Sequence, residues 1–344
     1  MMAAGTPSFD LADSTWLAHR YDRSSDRFLF RHVPQQLHSQ GPFLTDELVG
    51  DRPGEWIERS ALAEPARHLS GPVHFIFHSA FCGSTLLARG LDRPGLAMSL
   101  SEPVLLNDIV GIRRRAEMRG ADIARLADDA LHLLGRRWPD THAVAIKPSN
   151  IVNGLIPAIM ALRPESRAVL LHAPLRQFLS SVARKGLWCR LWVRELLEGL
   201  LREGAVQLGF EDRDYFRLTD LQVAAVGWLA QHAMFHRFAG QFGPAQMATL
   251  NSDLLTGRTA EVVEATGRLF ALPMGAQVAA EVADGPAFTR HSKSGQRFSA
   301  ADRAAERQAA EAAHGDEIDK VEHWAHAVAD RAGIAMTLPH ALVS

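Results

Sequence analysis

Apolar positions are spread unevenly along this chain. Up to about residue 70 they stand singly or in pairs: Trp16, Tyr21, Phe28 and Phe30 sit among polar neighbours. Turn signals follow at Gln40-Gly41-Pro42 and Asp51-Arg52-Pro53-Gly54. The alternation of Phe28 and Phe30 predicts a strand, and Thr45-Asp46-Glu47-Leu48 a short helix start. Residues 1–70 therefore read as an irregular N-terminal lobe packed on the region 71–344.

From Gly71 the apolar residues gather into short runs bounded by turns. Pro72-Val73-His74-Phe75-Ile76-Phe77 is rich in strand formers, and Leu86-Leu87-Ala88-Arg89-Gly90-Leu91 reads as a helix. Further strand candidates are Leu96 to Leu100, Ala143 to Ile146 and Ala168 to Leu171. Helical text lies between them at Ile109 to Arg137 and Asn153 to Leu162. Strands alternating with helices predict a three-layer α/β fold, its central sheet mostly parallel and covered by helices on both faces.

Residues 176–240 read as almost wholly helical. Leu191, Trp192, Leu196, Leu197 and Leu200 recur at helical spacing, as do Leu221, Ala225, Trp228 and Leu229, so 187–240 is a helical insertion. Met247 to Leu250 predicts a further strand and Ala260 to Phe270 a helix; Pro286 to Phe298 reads as a loop. The last helix starts at Ser299, capped with Asp302, and runs to about Ala329 with a soft spot at His314-Gly315. Trp188, Trp192 and Trp228 are expected in the core, and Arg113-Arg114-Arg115 on a solvated helix face.

Composition narrows the chemistry. The 344 residues are 47% apolar, enough for a sizeable core, and the formal net charge of −2 argues against a nucleic-acid-coating protein. Any anion site must be a local cluster of donors and charge. Two cysteines cannot build a disulfide framework or a four-thiolate metal site, which suits a reducing, cytoplasmic compartment. No signal peptide and no membrane-length apolar run of ~18 residues is evident. The sixteen histidines do not cluster at ligand spacing, so no metal is expected. Oligomeric state is not legible.

The segment His78-Ser79-Ala80-Phe81-Cys82-Gly83-Ser84-Thr85 follows the first strand of the sheet and opens a helix. A glycine among small hydroxyl residues at such a junction lets backbone N–H groups close around an anion, aided by the helix dipole. It is not the nucleoside-triphosphatase loop, because Ser84 replaces the lysine and His78 the first glycine. The alternative is a plain strand–turn–helix junction whose small residues serve packing. Cys82 reads as a small space-filler.

Three companions follow in order. Ser101-Glu102-Pro103 and Ile146-Lys147-Pro148 end two predicted strands, and ligands of open α/β sheets sit outside those carboxyl ends. Then comes Leu171-His172-Ala173-Pro174-Leu175-Arg176-Gln177-Phe178-Leu179-Ser180, read as strand, turn and helix start.

The set resembles the sulfotransferases that use 3′-phosphoadenosine 5′-phosphosulfate, over about residues 71–300. The resemblance implies a loop at Gly83, Ser84 and Thr85 that binds the 5′-phosphosulfate, with His78, Phe81 and Cys82 lining it. Pro174 and Ser180 match the segment that binds the 3′-phosphate, with His172 where an arginine is usual. Arg290-His291-Ser292-Lys293 is similar to the family's basic C-terminal loop, so Arg290 and Lys293 join the cofactor-binding set. Phe81 stands where the family usually has a lysine or arginine. Compensating charge would come from His78, Arg176, Arg184, Lys185, Arg290 or Lys293.

On this resemblance the chain moves a sulfuryl group to a hydroxyl or amine of a small-molecule acceptor, without a metal, a nucleic acid or a membrane as partner. Glu102 would act as general base, or merely cap a loop. Lys147 would stabilise charge on the transferring group, or be a surface lysine. Ser180 would bind the 3′-phosphate, cap a helix, or both. The other readings on the same fold are a catalytically weakened nucleotide-binding protein and an ATP-dependent phosphotransferase. The missing loop lysine speaks against the phosphotransferase.

Overall fold

The structure, a computed structural model, describes residues 8–289 and 300–343. Its centre is a five-stranded, all-parallel sheet. The strands are β4 (Val73–His78), β5 (Ala97–Ser101), β6 (Ala143–Lys147), β7 (Ala168–His172) and β8 (Met247–Asn251), in spatial order β5-β6-β4-β7-β8. They follow β1 (Trp16–Asp22), β2 (Arg27–His32) and β3 (Gly54–Glu58), an antiparallel meander in the N-terminal lobe.

Each central strand is buried on both sides, and its alternate residues feed two separate cores. Ile76, Ala145, Val169 and Leu171 face one core, with the helices Ser84–Leu91, Leu175–Arg184, Thr259–Leu269 and Ala300–Ala332. Phe75, Phe77, Leu100, Ile146 and Leu170 face the other, with the helices Val104–Arg114, Gly120–Leu134 and Ile156–Leu162. The expected three-layer α/β architecture is therefore present. The lobe shares the second core through Trp16, Phe28 and Phe30. Arg136, itself buried, reaches from the main domain to the carbonyls of Leu11 and Trp16 and so locks the lobe in place.

From β4 the chain passes β6 to reach the edge strand β5, returns to β6, and then crosses β4 to β7. Adjacent strands β4 and β6 thus send their connections in opposite directions. That is the switch point where such sheets open a crevice at their carboxyl ends. The helix Asp220–Phe242 spans this edge. It begins in a capping box of Thr219 and Gln222, packs Leu221 to Leu229 in the first core, and packs Phe235 and Phe238 in the second.

Several elements differ from expectation. The lobe is ordered: β1 and β3 are strands, and Arg59–Leu69 is a helix despite Pro65 inside it. The stretch 109–137 is two helices broken at 115–119, where Ala116 takes a left-handed backbone. Between Arg202 and Asp220 the helical text of 176–240 gives way to irregular chain that holds one short helix, Asp212–Tyr215. The last helix runs unbroken through His314-Gly315. Pro286–Thr289 is a helical turn; the rest of that loop, and the Ser299 cap, lie outside the described residues.

Of the three tryptophans expected in the core, Trp228 is buried and Trp192 half-buried, but Trp188 is 64% exposed. It shares the outer face of the helix Gly186–Arg202 with Leu187 and Leu191, while Cys189, Val193 and Leu197 hold the inner one. Arg114 is not on a solvated face either. Its Nε donates to the buried carboxylate of Glu203 at 2.6 Å.

Candidate active site

The loop after β4 is built by backbone strain. Ala80 and Phe81 have φ of 71° and 51°, followed by Gly83 at 78°. Left-handed backbone costs a residue with a Cβ about 1–2 kcal/mol, so two in a row persist only where the surroundings fix them. Ser79 is one anchor: its N–H donates to the Leu171 carbonyl at 3.1 Å, and its hydroxyl accepts from the Ala173 N–H at 3.3 Å. The Ala80 N–H donates to His78 Nδ1 at 3.1 Å, folding the loop back on its own strand. Leu255 presses on Gly83, where a Cβ would come within 3.3 Å of its Cδ2. Turns of this kind roll successive N–H groups toward one side, the form of an anion-binding nest. Among the described residues, the N–H groups of Phe81, Cys82 and Gly83 donate to no backbone carbonyl, while that of Ser84 turns to the Cys82 sulfur.

The loop side chains divide by position. Cys82 is buried, and burial pushes its thiol up to about 11 against hydrogen bonds from Ser84. It packs in the first core. Ser84 is buried, while Phe81, Gly83 and Thr85 are partly open. Phe81 lies against the rings of Phe178 and Trp192, with centroids at 5.7 and 5.4 Å. Lys185 Nζ sits 5.4 Å from the Phe81 centroid. The Phe81 ring thus holds a cation from the turn between the helices Leu175–Arg184 and Gly186–Arg202.

Beside the loop, Glu102 and Lys147 meet. Ser101 is in register with Lys147, so the ends of β5 and β6 lie side by side. Glu102, in left-handed backbone, donates its N–H to the Lys147 carbonyl at 2.6 Å. Lys147 Nζ donates to Glu102 Oε1 at 2.5 Å. The lysine is fully buried and not a surface residue, and the carboxylate side chain is 19% exposed. Phe43 of the lobe caps the ammonium, its ring centroid 4.9 Å away, and the Leu44 N–H to Ser101 carbonyl bond of 2.7 Å sets it there. His78 approaches the same carboxylate oxygen, Nε2 to Oε1 3.8 Å. Burial and then the Lys147 charge hold His78 well below the ordinary imidazole range, so it is neutral and not the cation the loop lacks.

Behind this cluster runs a buried amide relay. Asn153 Nδ2 donates to the His78 carbonyl at 2.9 Å and to Gln231 Oε1 at 3.1 Å, and Asn150 Nδ2 reaches the same Gln231 oxygen at 3.2 Å. It ties the end of β4 to the spanning helix. None of Phe43, Asn153 or Gln231 carries a sequence signal: each is a common residue whose partner lies far along the chain.

On the other side of the loop the expected phosphate ligands look different. His172 ends β7 and meets His232 edge-on at 5.5 Å; His232 stacks on Trp228 at 4.4 Å. Burial pushes His172 down to about 4 and His232 to about 3, so both rings are neutral. Trp228 Nε1 donates to the Ala173 carbonyl at 2.9 Å, which fixes the turn after β7. Arg176 Nη1 is held by Asp319 at 2.7 Å and Glu322 at 2.8 Å of the last helix. Ser180 is buried inside the helix Leu175–Arg184, and Pro174 occupies the cap position instead. Arg290 and Lys293 lie outside the described residues.

Among the described residues no group of three or more His, Cys, Asp or Glu side chains could hold a metal ion. No described helix is long and apolar enough to cross a membrane.

No protein-family model matches the chain, and no curated protein matches it. Among solved structures the chain is similar to a sulfotransferase domain from the curacin biosynthetic pathway. The TM-score is 0.42 at 15% identity, covering 67% of this chain and 84% of that one. A likeness this faint says nothing about chemistry. The parallel sheet stands on this chain's own hydrogen bonds.

Proposed function

We propose that this chain is a sulfuryl transferase that uses 3′-phosphoadenosine 5′-phosphosulfate as donor and a hydroxyl or amine of a small molecule as acceptor. The observation that carries the reading is the Glu102–Lys147 ion pair beside the strained loop at Gly83, at the switch point of a parallel sheet. The two sites need each other. The loop amides and helix N-terminus offer a seat for a sulfonate or phosphate oxygen, and the pair offers one group to take a proton and one to meet developing negative charge.

In the reaction the acceptor oxygen or nitrogen forms a bond to sulfur while the bond from sulfur to the bridging oxygen breaks. The acceptor proton passes to Glu102. The electron pair stays on the departing phosphate oxygen, where Lys147 meets it. This transfer asks for positioning and charge stabilisation more than for covalent help from the protein. Among the described residues the fit is good at the phosphosulfate end and poor at the 3′-phosphate end, where His172 is neutral and Arg176 is already ion-paired. Two cysteines, neither in a disulfide, suit a cytoplasmic setting.

One observation favours a second reading, nucleotide binding without turnover: base and lysine neutralise each other in a closed pair. Thermal shift separates the readings from a phosphotransferase. Adenosine 3′,5′-bisphosphate at 100 times its dissociation constant should add about 2.7 kcal/mol of stability, and ATP with magnesium should add far less. The reverse ranking would overturn the donor assignment. Transfer of labelled sulfate to an acceptor extract then divides the enzyme from the silent binder.

A further inference from the structure

Glu102 Oε1 stands before two donors from adjacent strands. Lys147 Nζ, from β6, is bonded at 2.5 Å. His78 Nε2, from β4, is 3.8 Å away, beyond hydrogen-bond reach. Among the described residues these are the titratable groups paired with the carboxylate. The His78 tautomer is fixed by the loop. Its Nδ1 accepts from the Ala80 N–H, so in the neutral ring the proton resides on Nε2. That Nε2–H is buried and makes no bond of good geometry among the described residues; the Pro148 carbonyl approaches it only as a weak acceptor. A buried donor so poorly satisfied is costly and calls for an explanation.

From this geometry we infer that His78 is a positioning residue that takes over Glu102 from Lys147. The inference rests on the function proposed above. An oxyanion seated on the loop amides competes for the Lys147 ammonium. As Lys147 turns to it, a mostly buried carboxylate loses its ion pair, an arrangement that is strongly destabilising if nothing replaces it. A movement of Glu102 by about 1 Å brings Oε1 within the bonding range of Nε2–H. The carboxylate then stays ionised and held, free of the ammonium, in the state a general base requires. Because Ala80, inside the loop, sets the imidazole tautomer, the loop and the base are linked through one ring. Asn153, bonded to the His78 carbonyl, keeps the end of the strand from yielding.

The test is isothermal titration of the full chain with adenosine 3′,5′-bisphosphate at pH 7, in two buffers of different ionisation enthalpy. Heat capacity and apo melting curves serve as fold controls. The wild type and His78→Gln, which keeps an N–H donor, should bind with matching affinity and proton count. His78→Leu should bind ten- to a hundredfold more weakly and take up to about one further proton per ligand, because the unsupported Glu102 protonates. Adding Glu102→Gln to His78→Leu should remove that extra proton. Equal proton counts in wild type and His78→Leu overturn the hand-over. If His78→Leu does not fold, 15N-histidine NMR of the wild type decides: the His78 Nε2–H resonance should move downfield on ligand addition, and an unmoved resonance overturns it. If the bisphosphate does not bind the wild type at all, the proposed donor falls first, and the hand-over with it.

Discussion

The carboxyl edge of the sheet has two halves that were built differently. On the β5–β6 side, opposite charges converge: Glu102 and Lys147 touch, a neutral His78 waits beside them, and Phe43 covers the ammonium. On the β7–β8 side, polar groups are silenced. His172 and His232 are neutral rings that meet edge-on, His232 stacks on Trp228, and Arg176 is bound by two carboxylates. Lys147, with 0% side-chain exposure, is held in an ion pair at a cost that hydrophobic packing would avoid, which is the ground for proposing chemistry there. Neutral buried histidines give no such ground. The lesson is that motif position alone does not say which half can act; charge state and partners do.

The contrast breaks most readily at the pair. Lys147→Met and Glu102→Gln should each reduce sulfate transfer at least a hundredfold. Lys147→Met should also cost about 3 kcal/mol in urea unfolding, because it strands a carboxylate. The double variant should recover much of that stability and none of the turnover. Recovery of both would make the pair structural.

The silent half can be sharpened by pH. His38, His74, His172 and His232 all have burial-depressed values, at about 4, 4, 4 and 3. The unfolded chain therefore binds more protons than the native one below the ordinary histidine pKa. Stability should be full above about pH 6.5 and fall by a few kcal/mol as pH drops from there through 4. His172→Phe should flatten part of that slope in denaturant titrations. An unchanged slope would mean that His172 is charged in the native state and fit to bind phosphate after all.

The smallest effect is expected at Arg176. Arg176→Ala should leave bisphosphate affinity within about twofold and cost about 1 kcal/mol or less, as for a partly exposed surface pair. A tenfold loss of affinity would assign Arg176 to the nucleotide and erase the difference between the halves.

Much of the β5–β6 half's geometry was legible in the sequence. Short apolar runs such as Val73 to Phe77 and Ala143 to Ile146 are strands buried on both faces, and parallel strands put the residue just beyond each run at one edge. That rule alone brings Glu102 and Lys147 together. Their closed ion pair was not legible, because it depends on register and on Phe43 from a lobe whose strands, with a face as exposed as Gly54–Glu58, carry little alternation. The partners on the β7–β8 half were hidden for a similar reason. Arg176 looks available until the last helix, 143 residues on, supplies Asp319. Trp188 looks like core because helical spacing does not say which of two apolar faces is covered. Phe81 in place of a cation was visible, but Lys185 lying over its ring was not.

The central claim is that the amides around Gly83 hold the donor's sulfonate or phosphate beside Glu102 and Lys147. The most direct measurement is a 15N–1H NMR titration with adenosine 3′,5′-bisphosphate. The account predicts saturable shifts that are largest at the Phe81, Gly83, Ser84 and Thr85 amides, with the Lys147 Nζ signal moving at the same ligand concentration. Shifts confined to other residues, with those amides unmoved at saturation, would contradict it.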